Sequence, residues 1–125
     1  MKILAPTAGP VPAKHRADYT VNIAKRLGAD LVALHVLTEE TRLEDAKENL
    51  NIFSKAGQTA KVNVNTILKK TDLVPAIIEC AEEESVDLII MGASRSKVVA
   101  EWVSADVTGK AKIPVVVLPH EFKKL

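Results

Sequence analysis

The densest set of chemically useful side chains is Gly92-Ala93-Ser94-Arg95-Ser96-Lys97, in which a glycine, two hydroxyls and two cations follow one another. Between a strand and a helix N-terminus, such a run is a weak anion site by charge and dipole alone. The same residues also suit a solvated, well-capped loop, with Ser94 or Ser96 as the N-cap. Other chemistry is sparse. His15, His35 and His120 lie far apart, and neither His-x-x-x-His nor Cys-x-x-Cys occurs, so no metal site is expected. Cys80 is the single cysteine, which excludes an intrachain disulfide. Its neighbours Ile77, Ile78 and Ala81 mark it as a small buried hydrophobe. His35, inside an apolar run, reads as a satisfied core histidine. Thr108-Gly109-Lys110 is like the end of a phosphate loop, but it lacks the earlier glycine and falls at the end of a helical pattern. No Gly-x-Ser-x-Gly elbow is present, and Glu82-Glu83-Glu84 fits a solvated face better than a catalytic dyad. No enzyme activity is expected.

The elements that must position this loop are legible from periodicity. Short apolar runs at residues 3–6, 31–37, 62–68, 86–91 and 115–118 have the β-branched character and the Gly or Pro boundaries of buried strands. Helical stripes lie between them. Ala13, Ala17, Val21, Ala24 and Leu27 form the first, with Pro12 in the first turn and Gly28 as the stop. Leu43, Ala46, Leu50 and Phe53 form the second, closed by Gly57. Val74, Ile77, Ile78 and Ala81 form the third, with Asp72 as a plausible cap and Pro75 tolerated in the first turn. Val99, Val103, Val107 and Ala111 form the fourth.

Strict βαβ alternation predicts an α/β fold, a parallel sheet with right-handed crossovers and helices on both faces. Ligands of such sheets bind beyond the strands' carboxyl ends, where strand order reverses. That singles out two loops, residues 6–10 and 92–97. The 125 residues read as one domain, 1–125, with the tail from 120 loosely ordered. With 17 basic against 16 acidic residues, the net charge of +1 argues against a nucleic-acid partner. No apolar stretch approaches the ~20 residues of a membrane span, and the first residues lack a signal-peptide pattern, so no membrane partner and a cytoplasmic location are expected. Aromatic residues are only 3% of the chain, so the core must be aliphatic.

Taken in order, Lys2-Ile3-Leu4-Ala5-Pro6-Thr7, Ala24-Lys25-Arg26-Leu27-Gly28-Ala29, Leu34-His35-Val36, Asp87-Leu88-Ile89-Ile90-Met91-Gly92 and Lys112-Ile113-Pro114-Val115-Val116-Val117 are similar to successive segments of universal stress proteins. Together they cover nearly the whole chain. The resemblance implies a five-stranded parallel sheet in the order 3-2-1-4-5, Rossmann-like, of the adenine nucleotide alpha hydrolase type. It also implies a homodimer in which the last strand, Val115, Val116, Val117 and Leu118, pairs with its copy. Flanking Pro114 and Pro119 would otherwise be what protects that edge. The stress-response role, and the possibility of a protein partner, come from the resemblance alone.

The same resemblance places a nucleotide or anion crevice at Pro6, Thr7, Ala8, Val36, Met91, Gly92, Ser94, Arg95, Ser96 and Lys97. Family members that bind ATP carry a glycine, two residues, a glycine, nine residues, then glycine followed by serine or threonine. Bare backbone there lets N–H groups approach phosphates. Gly92 matches the first position, but Arg95 stands at the second. Counting without a gap puts Ala105 and Asp106 at the final pair. Anchoring on Ala111-Lys112-Ile113-Pro114 puts Glu101 and Trp102 there and shortens the loop by about four residues. Either way a carboxylate would face polyphosphate. Ala8 also replaces the acidic residue that meets the nucleoside. No cofactor is therefore expected, with ATP or another adenine nucleotide in the residues 92–97 loop as the alternative. Trp102 has three readings: packing at the loop, covering the crevice or meeting a partner.

Overall fold

A computed structural model of the protein describes residues 1–8, 14–39, 42–92 and 99–119, without the side chains of residues 99–102. Within them strands and helices alternate: β1 (Lys2–Thr7), α1 (Lys14–Leu27), β2 (Asp30–Val36), α2 (Leu43–Ala60), β3 (Val64–Lys69), α3 (Leu73–Glu83), β4 (Leu88–Gly92), α4 (Val99–Lys110) and β5 (Val115–Leu118). The strands form one parallel sheet in the order β3-β2-β1-β4-β5, as the resemblance implies.

Successive strand side chains point to opposite faces, so the sheet carries two apolar layers. Ile3, Ala5, Leu31, Ala33 and Ile90 pack with Ala17, Val21 and Phe53 of α1 and α2. Leu4, Val32, Leu34, Ile89 and Met91 pack with Ala76, Ile77, Cys80 and Val107 of α3 and α4. Cys80 is fully buried, and desolvation pushes its thiol up to about 11. At neutral pH it stays protonated and packs as a hydrophobe.

Several boundaries differ from the sequence reading for local reasons. Gly28 does end α1, at φ 64, while the Ala29 N–H closes onto the Ala24 carbonyl at 2.8 Å. Gly57 does not end α2. A Cβ there would strike the Val64 side chain and come within 2.9 Å of the Val62 carbonyl, so this glycine lets the helix lie close on β3. The stop is Lys61, in the left-handed region at φ 60, followed by a Val62 N–H bond to the Gly57 carbonyl at 2.9 Å. Because Val62 serves that cap, β3 begins at Val64 rather than at residue 62. Asp72 occupies the N-cap position of α3, yet its carboxylate makes no cap hydrogen bond. Finally, β5 is not buried on both faces within one chain: Val116 and Val117 are 42% and 40% exposed at the sheet's edge.

Candidate functional site

Strand order reverses between β1 and β4, and the backbone ladder there is short. β1 keeps register with β2 as far as Thr7↔His35, and β4 keeps register with β5 as far as Gly92↔Leu118. Between β1 and β4 the register covers only Ile3↔Leu88 and Leu4↔Ile89. The cause lies in the sequence of β1. Lys2 turns both backbone groups toward β4, its N–H meeting Asp87 Oδ2 at 2.9 Å and its carbonyl taking the Asp87 N–H at 2.8 Å. On the other side the Met1 carbonyl takes the Asp30 N–H at 3.0 Å. Backbone groups alternate sides along a strand, so Leu4 and then Pro6 face β4. Pro6 has no N–H to donate, and the ladder stops short of it.

The residues that sequence reasoning placed at this crevice divide between its two faces. Thr7 is buried on the α1/α2 side, and Gly92 lies on that side too. Val36 and Met91 are buried on the α3/α4 side, Pro6 is buried in β1, and Ala8 is exposed at the rim. Ser94, Arg95, Ser96 and Lys97 lie outside the described residues, as do the loop at 9–13, the tail from 120, and the side chains of Glu101 and Trp102.

One residue at the crevice was not anticipated. A Cβ built on Gly92 would sit 2.5 Å from Arg16 Nη1 and 2.8 Å from its Cδ, so the arginine side chain crosses bare backbone at the end of β4. Arg16 is half-buried, and desolvation lowers its pKa. Among the described residues, no hydrogen bond or ion pair engages its side chain. The nearby Asp18 carboxylate is held instead by Lys14, at 3.0 Å. In the sequence Arg16 looks like any cation beside the stripe Ala17, Val21 and Ala24. Its only signal is its place in the first turn of the helix that follows β1.

Thr7 and His35, paired across β1 and β2, form a buried polar couple on the same face. The Thr7 hydroxyl donates to the Leu34 carbonyl at 3.2 Å, and its oxygen lies 2.9 Å from His35 Nδ1. With that hydrogen so used, Nδ1–H is the donor, and Nε2 is left as a buried acceptor without a partner among the described residues. The histidine is thus half satisfied, not fully. Burial pushes its pKa down, against the attraction of Asp45.

A more open groove of about 820 Å³ runs between α1 and α2, lined by helical residues such as His15, Tyr19, Ile52 and Lys55. No strand end reaches it, and the Gly92–Arg16 juxtaposition lies elsewhere, so its size alone does not make it the candidate site. Among the described residues no group of three or more His, Cys, Asp or Glu could hold a metal, and no helix is long and apolar enough to cross a membrane.

Comparison with known proteins agrees with the fold. The model of the universal stress protein family matches residues 1–119. A universal stress protein of Methanocaldococcus jannaschii is 26% identical, over 98% of this chain and 84% of its own length. Among solved structures, a universal stress protein in complex with cAMP has a TM-score of 0.78 at 18% identity, over 97% of this chain and 98% of the other. A family member from Arabidopsis thaliana with AMP bound has a TM-score of 0.75 at 17% identity, over 97% and 92% of the two chains.

Proposed function

Because this chain belongs to the universal stress protein family, we propose that it is a non-catalytic regulatory protein of the stress response, working as a homodimer and not holding ATP in a glycine-lined cradle. The observation that carries the reading is at the end of β4. Gly92 is the one glycine of the cradle pattern that is kept, and Arg16 lies across it. Arg95 replaces the next glycine and Ala8 replaces the acidic nucleoside contact. A triphosphate needs several bare N–H groups in sequence, and this chain supplies one such position. The two side chains best suited to general chemistry support a non-catalytic role: Cys80 is kept protonated by burial, and His35 is sealed inside the sheet with its basicity reduced. The cytoplasm is the compartment this role implies.

Calorimetric titration with ATP, ADP and AMP tests the reading. ATP is expected to bind no tighter than AMP, because its outer phosphates find no added partners. ATP affinity in the micromolar range that exceeds AMP affinity a hundredfold, and that disappears in Arg95→Glu, overturns it. A second reading, an adenine nucleotide acting as a regulatory ligand in the same crevice, is favoured by the relatives solved with cAMP and with AMP. The same titration separates the two.

A further inference from the structure

We infer that Arg16 is an anion anchor, and that the crevice between β1 and β4 accepts a ligand bearing a single phosphoryl group, a phosphomonoester. This rests on the reading of the crevice as the ligand site and deepens it. A cation moved out of water normally finds an acid, because its desolvation otherwise goes uncompensated. Arg16 is drawn in over Gly92 and has no such partner among the described residues. Lys14 already occupies Asp18, the acid two positions further along α1. One turn deeper on the same helix face, the Thr20 hydroxyl is 1% exposed and without a partner among the described residues. Two polar groups on α1, one of them charged, thus lack partners among the described residues, and the outer one, Arg16, crosses the end of β4.

The guanidinium fork matches two oxygens of a phosphate, and a charge-assisted pair of this kind is both short and directional. Gly92 leaves room for it, since any side chain there would claim the volume that Arg16 crosses. The match is to one phosphate. Further phosphates would need the glycines that Arg95 and either Ala105 or Glu101 have replaced.

The test uses AMP as the probe, with adenosine and inorganic phosphate as companions. Calorimetry on the full chain should show AMP binding at least tenfold tighter than adenosine, with Arg16→Gln removing that advantage and Arg16→Lys restoring part of it. Circular dichroism and thermal melting establish that each variant folds. Gly92→Ala gives an independent arm: its methyl group takes the place of the arginine, which is retained but displaced, and AMP affinity should again fall about tenfold. If AMP and adenosine bind equally, or if Arg16→Gln leaves AMP affinity unchanged, the anchor is wrong, while adenosine binding would still leave the crevice standing as a ligand site. If inorganic phosphate alone binds with the same dependence on Arg16, the anion is anchored as inferred and the nucleoside is not recognised. If ATP binds a hundredfold tighter than AMP, the proposed function fails, whatever Arg16 contributes.

Discussion

His35 and Thr20 are where single side chains carry a measurable cost. His35 is fully buried and neutral in the fold, while in the unfolded chain it ionises near its ordinary value of ~6.5. Below that pH the unfolded state binds the extra proton, so stability is full above it and is lost as pH falls through it toward the depressed folded value. Chemical denaturation at pH 7.5 and 5.5 should show the parent losing up to about 1.4 kcal/mol per pH unit from this group, and His35→Leu losing less. Equal losses would show that the ring titrates alike in both states. Thr20 is simpler. Its buried hydroxyl has no partner among the described residues, and Thr20→Val keeps the shape without the polar atom. A gain of about 1 kcal/mol in urea unfolding is expected. Neither cost was visible in the sequence, where His35 lies inside an apolar run and Thr20 is a polar neighbour of the stripe Ala17, Val21 and Ala24. Unmet hydrogen bonds depend on what packs opposite, and one chain read alone does not contain that.

Elements show where sequence signals were sound and where they misled. Gly28 and Gly57 carry the same local message, and only the first is a stop. The second lies inside α2 because β3 passes too near for a side chain, a fact about tertiary approach. Gly57→Ala should therefore destabilise the protein by about 1–3 kcal/mol, despite the better helix propensity of alanine. The opposite substitution belongs at the true stop. Lys61 stands in the left-handed region at φ 60, which costs a β-carbon-bearing residue about 1 kcal/mol. Lys61→Gly should raise the thermal midpoint by several degrees, and an unchanged or lower midpoint would place the strain elsewhere. Strand and helix centres were legible because periodicity reports burial. Their ends were not, because Lys61 turns the chain and Val62, which otherwise reads as strand, closes the helix.

For the whole molecule, alternation of elements is enough to predict a parallel sheet, while strand order came from the resemblance of the ordered segments and not from any periodicity. The site was half legible: the two loops followed from strand order, but Arg16 reaches Gly92 from a helix more than seventy residues away in sequence. The outer edge of β5 carries Val116 and Val117 exposed. Under the proposed homodimer these side chains and the unpaired strand edge are covered by the partner copy. Sedimentation should find the parent as a dimer and Val116→Lys as a monomer. Two species of equal mass would rule out that seam.

The proline at position 6 divides the sheet into two blocks that stay laced within themselves, β3-β2-β1 and β4-β5, and that are stitched to each other only near their amino ends. Under the proposed ligand site, a guest at the carboxyl end would sit where the two blocks share no ladder, with Leu4 and Ile89 as the last pair that ties them. Since β5 is the outer strand of the second block, a shift of that block would carry with it the surface that the proposed homodimer covers. Dimer dissociation measured with and without AMP would then differ, although no atom of the guest touches β5.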